Sequence, residues 1–193
     1  MSKSNQVSGN GSITKTKNQA QIRQKKCRQL LSDFFVFVLL IVADQVTKLT
    51  AVRFLKDGTP KVLIDGVFEL HYLENRGAAF GMLQDGKVFF VFAAIVILTV
   101  FTFVLVKTPV SRKYRPWHVF LVLIAAGGIG NMIDRLRLGY VIDFLYFSLI
   151  NFPIFNVADI FVTVGTALLI IYVLFVCKEE DLQFIKLSLQ KKQ

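Results

Sequence analysis

The sequence predicts an α-helical membrane protein with four transmembrane helices and a small extracytoplasmic β-sheet. Of its 193 residues, 54% are hydrophobic and only 19% are charged, and the mean hydropathy is +0.55. A soluble domain of this length cannot bury so much apolar surface. The formal net charge is +10, and the basic residues cluster beside long apolar segments, as in membrane proteins. These observations favour a membrane protein over a nucleic-acid-binding protein.

Four segments are long and apolar enough for membrane helices, each of which needs about 20 residues. We predict these helices at 34–54, 88–106, 117–138 and 156–176. Pro116 precedes the third segment, and proline suits the first turn of a helix. The first segment is not predicted to be a cleaved signal peptide, because charged residues interrupt it and no small residues mark a cleavage site.

Two basic clusters set the predicted orientation of the helices. Seven basic residues precede the first acid: Lys3, Lys15, Lys17, Arg23, Lys25, Lys26 and Arg28. A second cluster without acids separates the second and third segments: Lys107, Arg112, Lys113 and Arg115. Because such loops stay in the cytoplasm, both clusters and both termini are predicted there. We divide the chain into a polar, disordered cytoplasmic tail at 1–31, a membrane domain at 32–178 and a cytoplasmic tail at 179–193.

Residues 61–76 are expected to form the extracytoplasmic sheet. Apolar and polar side chains alternate between Val67 and Leu73, which is the period of a β-strand. The following Asn75-Arg76-Gly77 is typical of a turn. We therefore predict a small sheet that rests at the membrane surface.

Polar side chains within the predicted helices gather at one depth, towards the extracytoplasmic side. They come from three helices and one connection: Asp44, Gln45, Lys48, Asn131, Asp134, Arg135, Asp143, Asn156 and Asp159. Ionisable groups inside a membrane are costly, and their default interpretation is functional. This convergence is the strongest functional signal in the sequence.

Structural explanations compete for several of these residues. Asn156 can act as the N-cap of the fourth helix, where Asp159 would complement the helix dipole. Asp44 and Lys48 are four residues apart and can pair on one helix face. Glycines in the third helix are more typical of close helix packing than of a site: Gly127, Gly128 and Gly130.

Two of the carboxylates suggest a chemistry. Asp143 and Asp159 bracket an apolar loop at 144–158 and are expected to face one cavity. Two carboxylates that share a site do not both ionise readily, so one stays protonated while the other is an anion. Such a pair can hydrolyse an amide without a metal, because the anion activates water and the acid protonates the carbonyl oxygen.

Other functions remain open from the residues alone. A proton-coupled carrier could use the same carboxylates as a relay, although it should place polar groups along a path to both faces and often has an internal repeat. A non-catalytic scaffold is the third possibility. No metal site is predicted, since His71 and His118 fall on opposite sides of the membrane, and no known motif for a cofactor is present.

Four stretches, in order, resemble the signal peptidase II (lipoprotein signal peptidase) family. They are DQVTK at 44–48, NRGAAFG at 75–81, GNMIDRLRLGYVIDF at 130–144 and FNVAD at 155–159, and the resemblance covers roughly 33–178. It implies a bacterial inner-membrane aspartic endopeptidase that removes signal peptides from prolipoproteins. The family cuts just before a diacylglyceryl-modified cysteine.

The resemblance also implies site residues and partners. Asp143 and Asp159 correspond to the catalytic pair, and six residues would support the site or bind substrate: Asp44, Lys48, Asn75, Asn131, Arg135 and Asn156. We hypothesise that Asn75 and Arg135 place the substrate, that both other asparagines orient the aspartates, and that Asp134 is structural. The expected partners are a lipid-modified prolipoprotein and membrane lipids, without nucleic acid, metal or cofactor. A monomer is expected, with its active site near the extracytoplasmic face.

Overall fold

The computed structural model describes residues 7–77, 87–178 and 181. Within them, the fold consists of four α-helices and a three-stranded antiparallel sheet. The elements in chain order are α1 (Val7–Leu55), β1 (Lys61–Ile64), β2 (Phe68–Asn75), α2 (Lys87–Lys107), α3 (Arg115–Arg137), β3 (Val141–Tyr146) and α4 (Val157–Phe175). The last four residues of the NRGAAFG stretch and all of the predicted tail at 179–193 except Asp181 lie outside the described residues.

The four predicted membrane segments are helical, which confirms the predicted architecture. In the described part of the chain, three helical segments are long and apolar enough to cross a membrane, and they end at Leu55, Arg137 and Phe175. In α2, the stretch Val91–Lys107 is apolar but shorter. Proline stands in the first turn of α3, as predicted.

The N-terminal tail differs from its prediction. We predicted disorder for 1–31, whereas α1 begins at Val7 and runs without a break through these residues to Leu55. No glycine or proline occurs between Gly11 and Gly58, and the polar residues of the tail are mostly good helix formers. Because the apolar half of α1 supplies the helical nucleus, extending it upstream costs little. Helix α1 thus includes the described part of the predicted tail.

The sheet confirms the predicted strand and adds partners to it. Its order is β1-β2-β3 with antiparallel pairing. Asp143 lies opposite Leu73 in the register, and Val141 lies opposite Asn75. The predicted loop at 144–158 is wrong at its start, because β3 continues through Asp143 to Tyr146. The first four residues of β3, in the run VIDFLY, are all buried. Its sequence therefore lacks the alternation of apolar and polar residues that marks a half-buried strand.

Buried apolar residues join the sheet to the end of α1. Ala51 and Leu55 of α1 pack with Ile142 and Phe144 of β3 in one core cluster. This cluster fixes the strand that carries Asp143 against the helix that carries Asp44 and Lys48.

Glycine contacts bring the helices together around the site. A Cβ atom at Gly127 would collide with the Ala158 carbonyl of α4, and one at Gly130 would lie 2.5 Å from Asp44 Oδ2. Both positions confirm the predicted packing role. Gly128 does not, because its missing side chain would meet open space. Gly165 of α4 packs against α3 in the same way, although the sequence analysis did not select it.

The two neighbouring glycines give a matched test of this packing. We expect Gly127→Ala to lower the thermal unfolding temperature, since overpacking typically costs about 1–3 kcal/mol. Gly128→Ala is the control and should be neutral or slightly stabilising, because alanine favours a helix over glycine. Thermal unfolding in one detergent compares the two. Equal unfolding temperatures would contradict the close contact between α3 and α4.

Candidate active site

Asp143 projects from the middle of β3 and is held by two amide groups. Its Oδ2 atom accepts a hydrogen bond from Asn75 Nδ2 at 2.8 Å, and its Oδ1 atom accepts one from Asn156 Nδ2 at 2.6 Å. The side chain is almost fully buried. Asn75 is oriented in turn by the backbone N–H of Gly77, which donates to Asn75 Oδ1 at 3.0 Å. The sheet thus presents one carboxylate with both oxygens engaged.

Asp159 occupies the first turn of α4 and belongs to a capping box. Asn156 is the N-cap, and its Oδ1 atom accepts from the backbone N–H of Asp159 at 3.0 Å. In return, the backbone N–H of Asn156 donates to Asp159 Oδ2 at 3.1 Å. The structural explanation for Asn156 is therefore confirmed. The same residue also donates its amide N–H to Asp143, so the cap links the two carboxylates.

Asn131 holds the other oxygen of Asp159. Its Nδ2 atom donates to Asp159 Oδ1 at 2.8 Å. Its Oδ1 atom accepts from Lys48 Nζ at 2.8 Å and from Asn156 Nδ2 at 3.1 Å. Because an ammonium group can only donate hydrogen bonds, the side-chain oxygen of Asn131 must face Lys48. The amide nitrogen is thereby directed at Asp159.

Lys48 lies between two carboxylates in the interior. Its ammonium is 3.0 Å from Asp44 Oδ2 and 2.9 Å from Asp134 Oδ2, and all three side chains are buried. The predicted i, i+4 pair of Asp44 and Lys48 is confirmed, and Asp134 joins it. A buried lysine requires such partners, because an unpaired charge in the interior is very costly.

The same two carboxylates tie together the elements that carry the aspartate pair. Asp44 Oδ1 accepts from the backbone N–H of Ala158 at 2.9 Å, in the first turn of α4. Asp134 Oδ2 accepts from the backbone N–H of Ile142 at 3.3 Å, next to Asp143. Gln45 donates to Asp134 Oδ1 and Asp44 Oδ2, each at 3.1 Å. We noted Gln45 as polar but did not select it as a site residue, since nothing in its sequence position indicates these contacts.

Arg135 lies at the rim of the site. Its Nη2 atom donates to the carbonyl oxygen of Gly77 at 3.1 Å. The side chain lines the same cavity as both aspartates. The guanidinium thus connects α3 to the turn that follows β2.

One cavity of about 790 Å³ contains both aspartates, as predicted. Its lining includes the polar side chains of Glu74, Asn75, Arg76, Asn131, Arg135, Asp143, Asp159 and Thr163. Apolar side chains line it as well and form its apolar wall: Leu73, Val141, Phe152, Ile154, Phe155, Ile160 and Val164. The cavity can therefore hold a ligand that has a polar part and a hydrocarbon part.

The Asp143 carboxyl retains its proton more strongly than an ordinary aspartate. Burial raises its pKa to about 7, and the nearby charge of Asp159 acts in the same direction. Hydrogen bonds from Asn75 and Asn156 oppose this shift by stabilising the anion. The pair can thus share one proton near neutral pH, which is the protonation state that acid-base hydrolysis requires.

Both histidines have acidic partners away from the aspartate pair. His71 Nε2 lies 2.7 Å from Glu69, and His118 Nδ1 lies 2.6 Å from Asp33. Within the described ranges, no three His, Cys, Asp or Glu side chains are grouped as metal ligands would be.

Comparisons with known proteins agree on one family. The family model described as Signal peptidase (SPase) II matches residues 36–175. The lipoprotein signal peptidase of Clostridioides difficile (strain 630) is 43% identical over 144 residues, which cover 72% of this chain and 93% of that protein. The protein of the same name from Clostridium tetani is 41% identical and aligns over 74% of this chain and 92% of its own length.

A solved structure resembles the fold as well. It is a bacterial membrane enzyme determined by the in meso method at 2.3 Å, with a TM-score of 0.68 and 32% sequence identity. The alignment covers 77% of this chain and 92% of the other. At this identity and coverage the likeness extends to the whole helical domain.

The raised pKa of Asp143 predicts a pH dependence of stability. The folded state holds this proton up to a pH of about 7, whereas the ordinary value is 3.8. The folded state therefore binds more protons than the unfolded state between these values, and its stability should fall as the pH rises through this window. Thermal unfolding between pH 4 and 7 measures the slope. Asp143→Asn should flatten this slope. Asp65→Asn, at an exposed position, is the control and should leave the slope as it is. An unchanged slope in Asp143→Asn would contradict the raised pKa of Asp143.

Lys48 should be essential for the stability of the site. Lys48→Met leaves two buried carboxylates without their cation, and removing one partner of a buried pair costs about 3–5 kcal/mol. Lys56→Met is the control, because Lys56 is 43% exposed and pairs with Glu74 near the surface, where a salt bridge contributes about 1 kcal/mol or less. Chemical or thermal unfolding of both variants tests this difference. Similar losses in the two variants would argue against the central role of the Lys48 cluster.

Proposed function

The chain belongs to the signal peptidase II family, and on that premise we propose that Asp143 and Asp159 are its catalytic pair. The enzyme is a peptidase that removes signal peptides from prolipoproteins. The observation that supports the assignment of the pair is their shared cavity, where each carboxylate has its own amide donors and Asn156 contacts both. A third carboxylate, Glu74, also lines this cavity, but the contacts described for it are with Tyr72, Lys56 and Arg76 rather than with these amides.

The proposed mechanism uses one proton shared by the pair. The ionised carboxylate takes a proton from a water molecule, which attacks the carbonyl carbon of the scissile amide. The protonated carboxyl donates to the carbonyl oxygen, so that no free oxyanion develops. As the C–N bond breaks, the proton taken from water passes to the leaving amine, and the other carboxylate takes back a proton from a hydroxyl of the gem-diol. The two carboxyl groups stay in place throughout, because Asn75, Asn131 and Asn156 hold them with their amide N–H groups. Other contacts fix the orientation of each of these amides.

The cavity suits a lipid-modified substrate. Arg135 and Asn75 are among its polar lining residues and would position the peptide backbone near the aspartates. The apolar wall formed by Phe152, Ile160 and Val164 would accept acyl chains of a diacylglyceryl group. A cut just before the lipidated cysteine places the scissile amide and the hydrocarbon side by side, which matches the polar and apolar lining of the cavity.

The proposed location is the bacterial cytoplasmic membrane, with both termini in the cytoplasm. The positive-inside rule supports this orientation, because the basic clusters precede the apolar part of α1 and separate α2 from α3. The aspartates would then be near the extracytoplasmic face. We further propose that residues 32–178 form the peptidase domain and that the protein acts as a monomer.

A proton-coupled carrier is not favoured. Between the buried pair of Asp33 and His118 and the polar cluster around Asp44, residues 34–43 of α1 are all apolar. A carrier would need polar groups along this path. The relatives, moreover, are named as peptidases.

Processing of a diacylglyceryl-modified prolipoprotein tests the catalytic pair. We expect Asp143→Asn and Asp159→Asn each to lower the cleavage rate by about 10²–10⁴-fold, the usual contribution of a general acid or base. Substrate binding should persist in both variants, because the amide retains the shape of the carboxyl group. Asp65→Asn is the control and should cleave at the wild-type rate. Near wild-type cleavage by either site variant would remove that aspartate from the mechanism.

A further inference from the structure

A second cavity lies between α1, α2 and α3, away from the aspartates. Its volume is about 270 Å³, and its walls are mostly apolar. Its lining includes Leu30, Phe34, Phe37, Phe101, Leu105 and Val122. In α3 the lining residues precede the polar cluster by two to three turns, so this groove occupies the opposite half of the helices. It has the shape and the chemistry for a hydrocarbon chain, and the peptidase mechanism does not use it.

Basic residues stand beside one end of this groove. Lys26 and Arg23 precede Leu30 by four and seven residues, which places them on the same face of α1. Lys26 is only partly exposed, whereas its neighbours Lys25 and Arg28 are exposed. On the other side, Lys107 ends α2 directly after the groove residue Val106, and its ammonium lies 5.7 Å from the Phe103 ring centre.

The acidic residue at the groove has hydrogen-bond partners of its own. Asp33 lines the groove, but its Oδ1 atom accepts from Gln29 Nε2 at 2.8 Å and its Oδ2 atom lies 2.6 Å from His118 Nδ1. No other acid occurs before residue 44. Among the residues that the structure describes, no carboxylate forms an ion pair with Lys26 or Lys107, so the mouth of the groove presents positive charge next to an apolar slot.

We propose that this groove binds one anionic phospholipid. An acyl chain occupies the slot between the three helices, and the phosphate contacts Lys26 and Lys107. Under the orientation proposed above, the lipid belongs to the cytoplasmic leaflet, whose anionic lipids attract basic segments. The site differs from that of the prolipoprotein substrate, which binds at the other end of the helices.

Native mass spectrometry of the delipidated full chain in detergent tests the site with two lipids of identical acyl chains. We expect one dioleoyl phosphatidylglycerol to bind more tightly than dioleoyl phosphatidylcholine. Lys26→Gln should weaken phosphatidylglycerol binding about fivefold, the contribution of one basic residue at a lipid surface. Lys25→Gln removes the same charge one residue away on another helix face, and should weaken binding by less than about twofold.

A groove-filling variant gives an independent readout. Ala125 lines the slot, and Ala125→Phe should abolish binding of the single lipid while the unfolding temperature reports that the helices are intact. Equal weakening by Lys25→Gln and Lys26→Gln would overturn the proposal in favour of unspecific charge attraction. Equal binding of both lipids, or unchanged binding in Ala125→Phe, would also overturn it. None of these outcomes depends on prolipoprotein cleavage. The experiment therefore tests the lipid site independently of the proposed peptidase function.

Discussion

The buried ammonium of Lys48 is the contact on which the site depends. It lies within 3.0 Å of Asp44 and Asp134 and donates to Asn131. These partners in turn reach the two elements that carry the aspartate pair: Asp44 and Asn131 contact the first turn of α4, and Asp134 contacts the start of β3. A charge in the interior tolerates few arrangements, because every lost contact leaves a buried ion unpaired. One lysine therefore fixes where both halves of the aspartate pair stand.

Asn156 couples the start of a helix to the chemistry of the cavity. The side-chain oxygen of Asn156 caps α4, while its side-chain nitrogen donates hydrogen bonds to Asp143 and Asn131. The capping role and the site role do not compete, since they use different atoms of one side chain. As a result, one side chain fixes the position of the carboxylate on the helix relative to the carboxylate on the strand.

The two ends of the helices have opposite chemistry. At one end, polar side chains and the sheet enclose a cavity with two carboxylates; at the other, basic residues flank an apolar groove. Between them the helices expose mostly hydrocarbon. Under both proposals, this separation places amide hydrolysis and lipid binding at different depths, so that neither set of charges disturbs the other.

The sequence by itself determined the four apolar helices, the strand near 67–73, and the gathering of polar residues, because hydropathy and period are local properties of the chain. Its resemblance to a family also indicated Asp143 and Asp159, and the catalytic role of these two residues stays a proposal. Only the tertiary structure decided that Asp143 lies in a strand, that the tail at 7–31 continues α1, and that Gln45 joins the cluster. The direction of each amide was likewise undecided, because it follows from partners distant in sequence. Strand pairing and the contact between Lys48 and Asp134 join residues distant in sequence, and no local pattern encodes them.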